Sequence, residues 1–204
     1  SLCKREGIDF ILAVGGGSVL DSAKGIGMGV ATGRDPWEFA ATGTAPDKTL
    51  PVATVLTLAA SGSETSNSCV LTNEETREKR GITSQTNRPR ISFLNPENTF
   101  SVSKFQTGCG IVDIMMHTLE RYLTPKGGET DITDRLAEGL LIATRDAGRR
   151  ALANPNDYEA RATLMWAGSI SHTITPAAAA PAFSRCTSSS TNFPPSAMRS
   201  RTAR

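Results

Sequence analysis

The chain has 204 residues, of which 38% are hydrophobic and 21% are charged, and its formal net charge is +2. This length allows one large domain or two small ones. No apolar run approaches the ~20 residues of a membrane span, and no basic stripe of the kind that binds nucleic acid is present. We therefore expect a globular protein without a membrane or nucleic-acid partner.

The positive charge belongs to the last part of the sequence. From His172 onward the charged residues are four arginines, whereas the preceding part carries 18 basic and 20 acidic residues. Segment 172–204 is rich in Ala, Ser, Thr and Pro and has no apolar periodicity, a composition that predicts disorder. The change after Ser171 is abrupt, so a shift of reading frame is a second hypothesis, which the source DNA would decide.

The four cysteines show no pattern of a disulfide framework. They form no C-x-x-C pair and have no regular spacing, which predicts a reducing, cytoplasmic setting. They are Cys3, Cys69, Cys109 and Cys186.

The first predicted unit is a strand, a glycine turn and a helix. Asp9–Val14 is a short apolar run typical of a buried strand, and Ser18–Val30 has helical apolar spacing. Between them, Gly15–Ser18 could bind a phosphate, because glycines admit a close ligand and a helix N-terminus offers N–H groups. Leu20 stands where the G-x-G-x-x-G motif needs its third glycine. A plain strand-to-helix turn therefore remains the alternative.

The next hundred residues are predicted to contain further strands. We interpret Asp35–Asp47 as a loop. Small and hydroxyl residues over Ala59–Glu64 follow a strand end, where open α/β sheets bind ligands. The strands are predicted over Leu50–Leu58, Cys69–Thr72, Thr76–Ile82 and Arg90–Leu94.

From Ser101 the period becomes helical. Helices are predicted over Ser101–Thr124, Asp131–Leu152 and Asp157–Ser171, the first capped by Ser101 or Ser103. In the first helix, Ile111, Val112, Met115, Met116, Leu119 and Leu123 are the predicted apolar face. The pattern indicates an α/β nucleotide-binding region at 1–98, an all-helical region at 99–171 and the segment 172–204.

One pair on the first of these helices has metal-binding potential. Asp113 and His117 are four residues apart, which places both side chains on one helical face. A carboxylate and a neutral imidazole form part of a shell for a divalent transition metal. A solvated helical pair is the alternative, and the pair alone does not decide between them.

Three stretches in order resemble one family. AVGGGSVLDSAKGI, PVATVLTLAASGSETSNSCVLTNEETREKR and GCGIVDIMMHTLERYLTP are similar to the iron-containing (group III) alcohol dehydrogenases, in the branch of butanol dehydrogenases and NADPH-dependent aldehyde reductases. The similarity runs from about Cys3 to about Ser171. It implies the dehydroquinate synthase-like fold, incomplete at both ends, with the active site between the α/β and helical parts.

The resemblance implies an NAD or NADP cofactor. Its pyrophosphate would bind the turn formed by Gly16, Gly17 and Ser18. Asp21 matches an acid near the nicotinamide. From the residues alone, Asp21 is either an acid that complements the helix dipole in the first turn or a hydrogen-bond partner for a nucleotide.

Two more cofactor residues follow from the resemblance. Thr57 matches the first residue of a Thr-Thr pair, whose second position is Leu58 here, and Lys79 matches a lysine that reaches a cofactor ribose. The alternatives are a threonine that satisfies backbone groups at a strand end and a solvated cation.

Asp113 and His117 match the first two of four metal ligands in that family. The implied metal is Fe²⁺ or Zn²⁺, and the implied substrate is a small alcohol or aldehyde. The family's other two ligands are histidines further along, and His172 aligns with neither. A catalytic site normally needs three protein ligands, so we expect weak metal binding and little or no turnover.

Two other functions compete with the dehydrogenase. One is a non-catalytic remnant that at most binds a nucleotide. The other is a dehydroquinate synthase-type lyase, against which the context of Asp113 and His117 argues. We also expect apolar surface over Ile111–Met116 and beside Trp166 to be exposed, and a homo-oligomer is compatible with the resemblance.

Overall fold

A computed structural model describes residues 2–123 and 130–173, so most of the segment 172–204 lies outside the described residues. The helices are α1 (Leu2–Arg5), α2 (Gly17–Thr32), α3 (Pro36–Thr42), α4 (Lys104–Leu123), α5 (Asp131–Ala153) and α6 (Tyr158–Ser171). The strands are β1 (Ile11–Gly15), β2 (Val52–Leu56), β3 (Ser68–Asn73), β4 (Glu78–Thr83) and β5 (Ile91–Phe93). None of the described helices is long and apolar enough to span a membrane.

The described strands form one parallel sheet and one hairpin. The sheet has the order β1-β2-β5, and Ala13, Thr54 and Ser92 lie side by side across it. Strands β3 and β4 pair antiparallel, with Cys69 opposite Ile82. The predicted class, an α/β region followed by helices, is confirmed.

Among the described residues, helices cover one face of the parallel sheet. Ala13, Val52 and Leu56 pack on Leu20 and Ala23 of α2, and Met165 of α6 joins this core. The opposite face is apolar but about half exposed. Its exposed side chains are those of Leu12, Val14, Ile91 and Phe93. Parallel sheets are normally buried on both faces. Here the exposed side chains form an apolar patch on the second face.

The predicted loop at Asp35–Asp47 is wrong, because it contains α3. The Asp35 carboxylate accepts a hydrogen bond from the Trp37 N–H, and Pro36 occupies the first helical position. Gly43 ends the helix in the left-handed conformation, with φ of 66°. This is a full set of helix start and stop signals around a helix of seven residues, which is too short for apolar periodicity to show.

The predicted helices α4 to α6 are confirmed, with a different buried face on α4. The Ser103 hydroxyl accepts from the Gln106 N–H, as expected of a cap. Ile111 and Ile114 are buried, the former beside α5 and α6. The sequence misses Ile114 and overstates the burial of three other residues. Val112, Met116 and Leu123 are exposed, as is Trp166 at 61%.

Candidate functional site

The glycine turn and a second loop lie at the same edge of the sheet. Strands β1 and β2 are parallel and end side by side at Gly15 and Leu56. The Thr57 N–H donates to the Gly15 carbonyl at 3.0 Å, which ties the two strand ends together. Both segments therefore leave the carboxyl edge of the sheet, where α/β folds place their ligands.

The glycine turn leaves the start of α2 open. Gly16 is the N-cap residue in an extended conformation, and no side chain caps the helix. The N–H groups of Gly17 and Ser18 have no intrahelical acceptor in this position. A Cβ atom on Gly17 would lie closer than 3.0 Å to the Ser61 hydroxyl, so a larger residue there would have to displace the Ser61 side chain. These features suit a phosphate at the helix N-terminus.

Asp21 lies on the second turn of α2, and the first turn carries no acidic residue. The dipole interpretation of Asp21 is therefore wrong. Its carboxylate accepts from the Ser63 hydroxyl at 2.6 Å and from the Val70 N–H at 3.1 Å. Burial raises the pKa of Asp21, and the nearby Lys24 ammonium opposes this rise. In this structure the carboxylate binds the segment that leads into the hairpin.

Lys24 is the residue that the sequence interpretation missed. The residue is 1% exposed, and its Nζ lies 3.7 Å from the Asp21 carboxylate. Nζ also donates to oxygens of Ser63, Ser66 and Ser68. Burial lowers the pKa of Lys24, while the Asp21 charge opposes this shift. The only signal in the sequence is an acid three residues before the lysine.

The other two predicted cofactor residues differ in their surroundings. Thr57 is half-buried at the carboxyl edge, next to the glycine turn. Lys79 is exposed on β4, opposite Thr72 of β3. The Val70 N–H, two residues before Thr72 on β3, donates to the Asp21 carboxylate. The hairpin is therefore attached to α2 about 7 Å along the strand from Thr72.

The loop after β2 contacts the helical region on its other side. A Cβ atom on Gly110 of α4 would lie closer than 3.0 Å to the Ala59 carbonyl oxygen. Gly62 has a φ of +67°, and a Cβ atom there would meet the Gly168 carbonyl at 2.7 Å. Loop residues 57–66 therefore lie between the glycine turn and the helices α4 and α6.

A buried hydrogen bond reinforces this contact. The Ser169 hydroxyl of α6 donates to Glu64 Oε1 at 2.6 Å, and both residues are buried. The Ser92 hydroxyl of β5 donates to the Glu64 carbonyl at 2.6 Å. Burial raises the pKa of Glu64, with the Ser169 hydrogen bond opposing the rise. Glu64 thus joins the sheet to the helical region.

Asp113 and His117 lie one turn apart on α4, and both are half-buried. The Nδ1 atom of His117 is buried and has no hydrogen-bond partner in the described part of the chain. An orphaned imidazole nitrogen of this kind suits a metal ion, because ligation would satisfy it. The pair thus fits the role of a partial metal site.

The two histidines of the chain meet in space. The His172 ring lies edge-on to the His117 ring, with the centroids 5.5 Å apart. Burial, together with the Arg121 and His117 charges, lowers the pKa of His172 to about 3. Within residues 2–123 and 130–173, no three His, Cys, Asp or Glu side chains converge closely enough to hold a metal ion. The described residues therefore fit a metal only in part.

Fold and site together define a class of protein with an α/β region and a following helical region. The sequence profile described as "Iron-containing alcohol dehydrogenase" matches residues 1–96. The chain is 41% identical over 169 residues to "NADH-dependent butanol dehydrogenase A" of Clostridium acetobutylicum, covering 83% of this chain and 43% of that protein. It is 38% identical over 169 residues to the "NADPH-dependent aldehyde reductase YqhD" of Escherichia coli, covering 81% of this chain and 43% of the reductase.

A solved structure agrees with this assignment. The butanol dehydrogenase A structure from Thermotoga maritima superposes with a TM-score of 0.81 at 37% identity, over 85% of this chain and 43% of that one. The chain is similar in sequence and fold to iron-containing alcohol dehydrogenases over these segments, in agreement with the sequence resemblance. It spans less than half the length of these relatives.

Proposed function

We propose that this chain provides the dinucleotide-binding part and half of the metal site of an NAD(P)-linked alcohol dehydrogenase or aldehyde reductase. The observation that carries the proposal is the open helix N-terminus at Gly17, which faces Ser61 across the carboxyl edge of the sheet. The named relatives use NADH or NADPH. The proposed substrate is a small alcohol or aldehyde, and the choice of cofactor and substrate stays open.

In this proposal each site residue predicted from the sequence has a stated role. Gly16, Gly17 and Ser18 bind the pyrophosphate through backbone N–H groups, while Asp113 and His117 hold Fe²⁺ or Zn²⁺. Asp21, Thr57 and Lys79 stay predictions as cofactor contacts. A bound metal supplies Lewis-acid polarisation of the substrate oxygen, and the nicotinamide supplies the hydride chemistry. The protein's part is to bind and orient these groups.

The division at residues 1–98 and 99–171 is also proposed, on the support of the change from strands to helices before α4. A cytoplasmic location is proposed because Cys3, Cys69 and Cys109 are free thiols. A homo-oligomer stays a prediction. The second candidate function is a non-catalytic remnant that binds nucleotide, favoured by the two-residue metal site of the described chain.

Binding of the dinucleotide tests the proposal first. NADPH or NADH fluorescence is titrated with the chain and with its Gly17→Ala and Gly139→Ala variants. Apart from the surrounding helix backbone, no atom of the described residues lies within 4 Å of a Cβ on Gly139, so this variant is the matched control. We expect Gly17→Ala to weaken binding about tenfold or more, because the new methyl group displaces Ser61. Equal affinities for the two variants would contradict the proposed turn.

Metal binding and turnover separate the two candidate functions. Co²⁺ absorbance is measured for the chain, for His117→Ala and for the exposed control Gln106→Ala. We expect weak binding that only His117→Ala abolishes. Oxidation of NADPH with butyraldehyde and added Fe²⁺ or Zn²⁺ is expected to be absent or very slow. Clear metal-dependent turnover would exclude the non-catalytic alternative.

A further inference from the structure

One face of α2 meets the loop after β2 along its whole first half. Gly17, Asp21 and Lys24 follow one another at helical spacing and therefore share that face. Opposite them lies the segment from Ser61 to Ser68. The proposed phosphate turn is at one end of this contact, and Lys24 is at the other.

The Lys24 ammonium is the main polar connection in this contact. Nζ has three N–H groups and lies within hydrogen-bond distance of four oxygens: the Ser63 carbonyl at 2.7 Å, the Ser63 hydroxyl at 2.9 Å, the Ser66 carbonyl at 3.1 Å and the Ser68 carbonyl at 2.8 Å. A buried ammonium is tolerated only when such acceptors replace its water. A single side chain therefore holds three separate peptide groups, two in the loop and one at the first residue of β3.

Asp21 completes the attachment on the same helical face. Its carboxylate accepts from the Ser63 hydroxyl and from the Val70 N–H, so the segment is fixed beyond Ser68 as well. Ser61 lies two residues before Ser63, against the Gly17 backbone. A movement of Ser63 would therefore also move Ser61, which faces the glycine turn.

We propose that Lys24 is a positioning residue of the dinucleotide site. It holds the segment Ser61–Ser68 on α2, so that Ser61 stays against Gly17 at the proposed phosphate turn. Lys24 itself touches no ligand. This inference rests on the proposed dinucleotide site, and its test separates the two.

The test compares Lys24→Met with Lys104→Met, a matched change at an exposed lysine at the start of α4. Hydrogen exchange is measured for peptides that cover residues 61–68, and NADPH affinity by fluorescence. Lys24→Met is expected to raise exchange in this segment and to weaken NADPH binding about tenfold. Lys104→Met is expected to leave both unchanged.

A milder variant covers the case in which Lys24→Met does not fold. Ser63→Ala removes the hydroxyl between Lys24 and Asp21 but keeps both charges and the Ser63 carbonyl. It is expected to shift loop exchange and NADPH affinity in the same direction by a smaller factor.

The outcomes separate the two proposals. If the unmodified chain does not bind NADPH, the proposed function fails, and exchange over residues 61–68 still decides whether Lys24 holds this segment. The role of Lys24 is overturned if both variants match Lys104→Met in exchange and affinity. It is also overturned if exchange rises evenly through the chain while the folded fraction binds NADPH normally.

Discussion

Gly110 of α4 offers a sharp test of the contact between the helical region and the loop after β2. A Cβ atom on Gly110 would lie closer than 3.0 Å to the Ala59 carbonyl oxygen, whereas ordinary contact begins at 3.4 Å. The obstacle is backbone, so a side-chain rotation cannot relieve it. In Gly110→Ala, either Ala59 or the helix has to shift by more than 0.4 Å.

The cost can be estimated against a control on the same helix. Overpacking of this kind costs about 1–3 kcal/mol, whereas replacing glycine by alanine inside a helix contributes about 0.5–1 kcal/mol of stability. Gly108, two residues earlier, has no atom of the described residues within 4 Å of its Cβ position apart from the surrounding helix backbone. Gly108→Ala should therefore gain the helical term alone, and the two variants should differ by about 1–3 kcal/mol.

Urea unfolding followed by circular dichroism measures this difference. For a chain of this length, each kcal/mol of this difference in stability corresponds to about 2–4 °C in melting temperature. If Gly110→Ala is as stable as Gly108→Ala, the loop does not lie against α4 as described. The reasoning that joins the two regions through residues 57–66 would then be refuted.

The remaining predictions concern Glu64 and the open face of the sheet. Burial raises the pKa of Glu64 above its ordinary 4.5, so its contribution to stability is present below that pH and is lost as the pH rises through the native-state pKa. The stability of Glu64→Gln should therefore increase relative to that of the unmodified chain as the pH rises from acidic to neutral. A stability difference that does not change with pH would contradict this. Phe93 is 50% exposed, so Phe93→Thr should change the free energy of unfolding by only about 0.5 kcal/mol and reduce binding of the apolar dye ANS. The buried control Leu56→Thr should lose about 2–5 kcal/mol, and a comparable loss for Phe93→Thr would show that the sheet face is covered.

Local signals in the sequence predicted most of the elements. The apolar run before Gly15, the helical period after Ser101 and the hydroxyl of Ser103 each act within a few residues of the chain. These local signals were sufficient to predict the glycine turn and the placement of Asp113 and His117 on one helical face. They failed for α3, because its evidence is a set of caps at Asp35 and Gly43 and not a periodic pattern.

The sequence by itself determined the order of strands and helices, the turn at Gly16 and the shared helical face of Asp113 and His117, because these depend on neighbours in the chain. Tertiary structure alone decided that Lys24 is buried among oxygens 39 to 44 residues away and that His172 meets His117. It also decided which face of the sheet is open. Burial and charge pairing depend on residues far apart in sequence, and a periodic pattern does not record which of them meet.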